Sequence, residues 1–441
     1  MSARRAFAAL VVVALLVTCT SNPAGQPASS TPVPASTGTS ASTPVESAPG
    51  GNGLLGPSAS KALATLCPKR SLVGTSPPAE GATPKIVRAV ERRVEDIRGL
   101  RFDRRVPVHA VTRDQLVKGI SQAFDVQYPA RYFAAKSRAW ATIGAISRGA
   151  EIREQIERFA STQVIGYYDE ISKYLVYLGS SHPSPAEVVT LAHELTHALD
   201  DQHFGLLALD HLEAVCDDES FEAALALAEG DATYVMTAYA RQYLTLDQQL
   251  SLAGQGSAPE GIEPFILRLE TWPYTAGLAF VQTVVSREGE RGVDHAFRHL
   301  PVTTEQILHP AAYPNDSPRP VDVPELARAL GAGWRDLDVQ SVGEAWLSIL
   351  LGLRLDQDRA AASVTGWEGG VYRAWARRDR TAVVLRTAWQ DAVSAGRFAA
   401  AVREWIAAGS TPADVLPSRG ATVTVVFGSD ARSLAAVRAA V

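Results

Sequence analysis

Residues Ser184 to Phe204, SPAEVVTLAHELTHALDDQHF, constrain the architecture more tightly than any other stretch of the chain. Ser184 is a good helix cap, Pro185 suits the first helical position, and Glu187 completes a capping box three residues after Ser184. Val188, Leu191, Leu195 and Leu199 then recur at helical spacing as an apolar stripe. His193 and His197 stand four apart, so both project from one side of that helix, a little over one turn from each other. That is the geometry a small tetrahedral cation needs from two imidazoles on a rigid element. Glu194 points to a slightly different azimuth, near such a cation and able to take a proton from its water.

A second stretch, Ser220 to Ala240, reads as a helix whose apolar side carries Phe221, Leu225, Ala228, Ala232, Val235 and Tyr239. Glu229 lies in that stripe region, where a carboxylate is costly unless paired or metal-bound. Gly230 beside it costs about 1 kcal/mol against alanine in mid-helix, and close approach of another backbone would explain it. Both oddities fit Glu229 as a third ligand.

His193-Glu194-x-x-His197, followed by a glutamate on a later helix, resembles the gluzincin group of zinc metallopeptidases. The wider HELTHALDDQHF and LAEGDA are similar to a group of bacterial, including actinobacterial, lipoprotein peptidases. GYYD before the motif, TTEQILHP (Thr303 to Pro310) and Gly366-Trp367 are further features of that group, so the resemblance covers most of the chain after about residue 85. It implies Zn2+ on His193, His197 and Glu229, Glu194 as general base, and hydrolysis of peptide bonds. Many gluzincins carry an acid four residues after the glutamate ligand; here that position is Thr233, and Asp231 is the alternative for orienting a ligand histidine.

Other third ligands stay open. His203 stands ten residues after His193, where metzincins place theirs, but Asp200 occupies the position of their turn glycine. Their methionine turn has no counterpart either, since Met236 falls inside a predicted helix. Glu222 is the remaining rival. Asp200 and Asp201 either accept a proton from the outer nitrogen of a ligand histidine or form an acidic, solvated helix end. Hydrolysis also needs a donor for the oxyanion, and His309, Tyr274 and Tyr313 are candidates, each also open to ordinary packing or a loop hydrogen bond.

The rest of the chain sets compartment and class. Two arginines within Met1–Arg5 precede the apolar run Ala6 to Val17, which is shorter than the roughly 20 residues of a bilayer-spanning helix. With LVTC at Leu16 to Cys19 it resembles a lipobox, so residues 1–18 read as a lipoprotein-type signal peptide and Cys19 as the lipid site. The protein is then exported and anchored to the outer face of the bacterial cell membrane, or secreted if not lipidated. Residues 19–62, rich in Ser, Thr, Pro and Gly, read as a flexible tether. Cys67 and Cys216 could pair in an exported protein, or remain buried thiols. A net charge of −5 without basic clusters argues against nucleic-acid binding.

The predicted fold class is α+β: a mostly helical, zincin-type core over 63–340 with a small upstream sheet, then a C-terminal α+β lobe over 341–441. Val106–Val111 and the hairpin around GYYDEISKYLVY supply the upstream strands, and that hairpin offers an edge for an extended peptide. GVYRAWARRDRTAVVLRTAW reads as a second hairpin, with Trp367, Trp375, Trp389 and Trp405 forming the core of the last lobe. His109, His182, His211, His295 and His299 read as structural or surface residues. Besides a peptidase, two other functions are compatible with the sequence: an inactive metallopeptidase-like protein that binds envelope partners, and a zinc hydrolase of non-peptide substrates.

Overall fold

The computed structural model describes residues 53–69, 85–127, 129–179, 182–253 and 260–441. The signal peptide, Cys19 and all but the end of the expected tether lie outside them. Order begins ahead of Leu63: the helix Pro57–Leu66 opens the described chain, with Leu54, Leu55, Ala59 and Ala62 buried. Asp322 caps that helix from far along the sequence, accepting from Ala59 N at 2.8 Å.

The class is α+β. Two sheets are embedded among helices. The first has three strands, β1 (Val108–Val111), β2 (Gly166–Asp169) and β3 (Tyr174–Leu178), in the order β1-β3-β2. β2 and β3 form the anticipated hairpin, with Tyr168 opposite Leu175, and β1 joins β3 in parallel. The turn is fixed by Asp169, whose Oδ1 accepts from Ile171 N at 3.0 Å and Ser172 N at 2.9 Å, an Asx-type arrangement.

The second sheet comprises β4 (Arg335–Ser341), β5 (Trp367–Arg377), β6 (Arg380–Trp389), β7 (Ala413–Val415) and β8 (Thr422–Gly428), in the order β4-β5-β6-β8-β7, antiparallel throughout. It starts ahead of the expected boundary at 341. Trp367, Tyr372, Leu385 and Trp405 share one apolar cluster with Trp140, Phe265 and Trp346, so helices from both parts of the sequence pack into a common core. The opposite face of the sheet is covered by Pro57–Leu66 and Ala431–Ala440. A Cys67–Cys216 disulfide ties the first helix to the segment just before the Glu229 helix. Among the described residues, no helix is long and apolar enough to cross a membrane.

The motif helix, Pro185–Phe204, forms as its grammar dictates: Ser184 Oγ accepts from Glu187 N at 3.2 Å while Glu187 Oε2 accepts from Ser184 N. It packs on the hairpin and on the long helix Asp218–Tyr243. That second helix in turn crosses Pro264–Glu288 closely. At the crossing, a Cβ on Gly230 would lie 2.3 Å from Gly277 C and O, and a Cβ on Gly277 would lie 1.9 Å from the Ala226 carbonyl oxygen. The close backbone approach inferred from Gly230 is therefore present, and a second glycine answers it from the facing helix.

Candidate metal centre

His193, His197 and Glu229 converge. His193 Nε2 lies 3.1 Å from Glu229 Oε2 and 3.1 Å from His197 Nε2, and the third edge, His197 Nε2 to Glu229 Oε2, is 3.3 Å. Ligands about 2.0–2.1 Å from a tetrahedral zinc stand roughly 3.3 Å apart, so the triangle is close to the size such an ion requires. Two nitrogens and one carboxylate oxygen also form a donor set suited to it. The group is buried, with His197 alone keeping a tenth of its side chain exposed. These three residues form a group able to hold a metal ion.

The electrostatics follow from burial. Burial alone would raise the Glu229 pKa, but the imidazoles of His197 and His193 outweigh it and hold the carboxylate at about 2. Glu194, one residue from His193, moves the other way. Burial pushes it up to about 8, with Glu229 adding repulsion, against the opposing pull of His193 and the Tyr168 N–H. Glu194 Oε2 accepts from that Tyr168 N–H at 2.9 Å, while Oε1 is buried without a hydrogen-bond partner among the described residues. One oxygen is thus anchored and the other is left to take a proton. The anchor comes from β2, the outer strand of its sheet. All four β2 residues are buried. The edge anticipated for an extended peptide therefore faces Glu194 in this conformation.

Of the three anticipated oxyanion donors, only Tyr274 belongs to the centre. Its ring stacks near His193, with centroids 6.1 Å apart, and its hydroxyl faces Glu229 without completing a hydrogen bond of normal geometry. Burial, followed by the charges of Glu229 and Glu194, raises its pKa well above that of a free phenol, so it stays a proton donor. The Gly230–Gly277 crossing explains the placement: Tyr274 lies one turn before Gly277, and Glu229 is adjacent to Gly230.

His309 and Tyr313 are placed elsewhere. His309 Nε2 lies 3.0 Å from Glu344 Oε1, and that hydrogen bond is the main cause of its raised pKa. Glu344 follows Ser341, whose Oγ contacts Glu219 N, ten residues before Glu229 on the same helix. Ten residues of helix span about 15 Å. Tyr313 donates its hydroxyl to the His299 carbonyl at 2.8 Å.

The rival ligands fall away. His203 Nε2 bonds the Arg101 carbonyl oxygen at 2.7 Å, and Glu222, two turns before Glu229, is not in the group. The acids anticipated behind the histidines have other work. Asp231 accepts from buried Arg98 Nε at 2.7 Å, and Asp200 Oδ1 lies 3.6 Å from the same nitrogen. Asp294 meets Arg98 Nη1 at 2.8 Å. Burial alone would lower the Arg98 pKa, but Asp231, Asp200 and Asp294 outweigh it and raise it. Because Asp200 sits on the motif helix and Asp231 on the Glu229 helix, Arg98 clamps the two together. Asp201 accepts from Tyr168 Oη at 2.8 Å, Lys173 Nζ at 2.7 Å and Leu206 N at 3.0 Å. Neither aspartate orients His193, whose Nδ1 has no hydrogen-bond partner among the described residues.

Sequence reasoning missed Arg98, the Tyr168 N–H and Gly277. Gly277 alone carried a signal, being a glycine in the apolar helical run PYTAGLAF, like Gly230 in its own.

A family described as "Domain of unknown function (DUF8575)" matches residues 330–438, less than half the chain and none of the residues of the centre. The match coincides with the five-stranded sheet and its helices. No curated protein matches the sequence. Among solved structures, a proposed hydrolase with a novel fold from Chloroflexus aurantiacus is similar at 18% identity and a TM-score of 0.34, over 58% of this chain and 95% of that one.

Proposed function

We propose that the protein is a zinc-dependent peptidase of gluzincin type, acting outside the cytoplasm and anchored to the membrane through lipid on Cys19. The observation that carries the reading is the buried triangle of His193, His197 and Glu229 with the Glu194 carboxylate held beside it. The Cys67–Cys216 disulfide supports an oxidising compartment outside the cytoplasm. When bound, zinc supplies Lewis acidity that polarises a carbonyl and acidifies water.

The chain's own residues do the rest. Glu194, fixed through Oε2, takes a proton from the attacking water on Oε1 and returns it to the leaving amine. The Tyr274 phenol donates a hydrogen bond to the oxyanion that develops on the attacked carbonyl. Arg98 keeps the two ligand-bearing helices in register, and the glycine crossing seats the Tyr274 helix against the Glu229 helix.

Burial of the whole centre favours a second reading, a metal-holding protein that binds envelope partners without turnover. A quenched-fluorescence peptide library separates the two. Zinc-loaded wild type is predicted to cleave peptides, and Glu194→Gln to retain zinc while losing about 10²–10⁴-fold in rate. Zinc-replete wild type that cleaves no peptide, or Glu194→Gln that cleaves normally, contradicts the peptidase reading. Turnover of esters alone would point to a hydrolase of non-peptide substrates.

A further inference from the structure

A cavity of about 580 Å³ opens between the end of helix Ala130–Ile143, the start of helix Pro264–Glu288 and the segment leading into β7. It shares no residue with the metal centre. Its lining includes three arginines, Arg148, Arg268 and Arg354, against one acid, Glu263, a surplus of two positive charges.

Each guanidinium is held by neutral oxygens. Arg354 donates to the Trp405 carbonyl at 3.1 Å and to Thr411 Oγ1 at 2.7 Å, and its Cζ lies over the Trp405 ring, 3.6 Å from the centroid. Arg268 donates to the Gly352 carbonyl at 2.6 Å, and its guanidinium faces the Gln357 amide, whose oxygen accepts from it when that amide is turned over. Arg148 donates to the Ser429 carbonyl. Among the described residues, no carboxylate stands within ion-pair distance of Arg268 or Arg354.

The fit around Arg354 is close. A Cβ on Gly409 would lie 2.2 Å from its Nη1, and one on Gly144 would lie 3.1 Å from its Nη2. Immobilising a half-buried guanidinium without a counter-ion costs free energy that a bound anion recovers. Burial already lowers the Arg354 pKa, the direction expected of a cation lacking its partner.

We propose that this cavity binds a small phosphomonoester. A doubly charged phosphate matches the surplus of two charges, and its oxygens can take fork-shaped donors from two separate elements at once. Ser147 and Ser410 line the same cavity, and their hydroxyls can serve the remaining oxygens. The volume falls within the range of organic-ligand pockets and exceeds what a bare oxyanion fills, so an organic group accompanies the phosphate.

Isothermal titration at fixed ionic strength, with glycerol 3-phosphate and inorganic phosphate as probes, tests the site. Wild type is expected to bind glycerol 3-phosphate saturably at one per chain and more tightly than inorganic phosphate. Arg268→Gln should weaken binding at least tenfold. Arg354→Lys, which keeps the charge and loses the fork, should do likewise, with folding checked by calorimetry. If Arg354→Lys fails to fold, Arg268→Gln decides alone. Arg386→Gln, in a separate cavity beside β6, should bind as wild type does. Absence of saturable binding of the ester, equal or tighter binding of inorganic phosphate, unchanged binding by Arg268→Gln or a folded Arg354→Lys, or weakening by Arg386→Gln overturns the proposal.

Discussion

Gly230→Ala puts a methyl group where none fits. Its carbon would stand 2.3 Å from Gly277 C and O, whereas non-bonded carbons rest at about 3.5–4.0 Å. The helices Asp218–Tyr243 and Pro264–Glu288 must therefore separate by about 1 Å. On an open helix the same substitution would stabilise by about 1 kcal/mol, and Gly396, with nothing near its absent Cβ, is the matched control. At Gly230, overpacking of about 1–3 kcal/mol cancels or exceeds that gain.

The larger effect falls on the metal. Glu229 rides on the same turn, with Oε2 at 3.1 and 3.3 Å from the two imidazole nitrogens. A displacement of about 1 Å that lengthens these edges takes them well past the roughly 3.3 Å that tetrahedral ligand bonds span. Zinc affinity should fall by about 100-fold or more, the upper end of what disturbing groups behind a ligand costs. Competition against a chromophoric chelator measures the affinity, and calorimetry in excess chelator measures the stability. A Gly230→Ala protein that binds zinc as wild type does and gains stability as Gly396→Ala does would refute the reasoning.

Further outcomes follow from the same geometry. Tyr274→Phe should keep its zinc and lower kcat by about 10–100-fold with little change in KM, since the phenol acts on developing charge; unchanged kcat removes Tyr274 from the chemistry. Cys216→Ser should destabilise the fold by about 2–5 kcal/mol in denaturant titrations, because the bond closes a loop of 149 residues, and reduction of wild type should match it. Glu219 is fully buried, and that burial raises it to about 7 despite hydrogen bonds from Thr304. A folded pKa raised above the unfolded 4.5 means that the folded state holds the extra proton. Its contribution is therefore fully present below pH 4.5 and is lost as pH rises through 7, on the order of 3 kcal/mol. Glu219→Gln, which keeps the acceptor for Thr304, should flatten that decline between pH 5 and 7.5; an identical slope in both proteins rules Glu219 out as its source.

Local chemistry made much of this legible in the sequence. The capping box at Ser184 and Glu187, the β-prone runs flanking Asp169, and the histidine spacing are all decided within a few residues, and each appears as read. Glu229 was legible for a different reason: a carboxylate and a glycine together in an apolar helix are each unfavourable, and both needed a tertiary partner.

What stayed hidden depends on contacts between distant segments. Nothing near Arg98 shows that Asp200 and Asp231 will close on it, so those acids could be taken for supports of the histidines. Tyr274, His309 and Tyr313 were equivalent in sequence because only the crossing at Gly277 selects among them. The first helix reads as tether because its polar, alanine-rich sequence finds its apolar partners in segments more than two hundred and fifty residues later. The contribution of Trp140 and Phe265 to the core of the last segment is hidden in the same way.

The most direct measurement is zinc content by plasma mass spectrometry, after loading and desalting, for wild type and for Glu229→Ala. One zinc ion per wild-type chain and a large loss in the variant is the predicted result. Wild type that retains none, or a folded variant that retains as much, would contradict the claim that His193, His197 and Glu229 hold the metal.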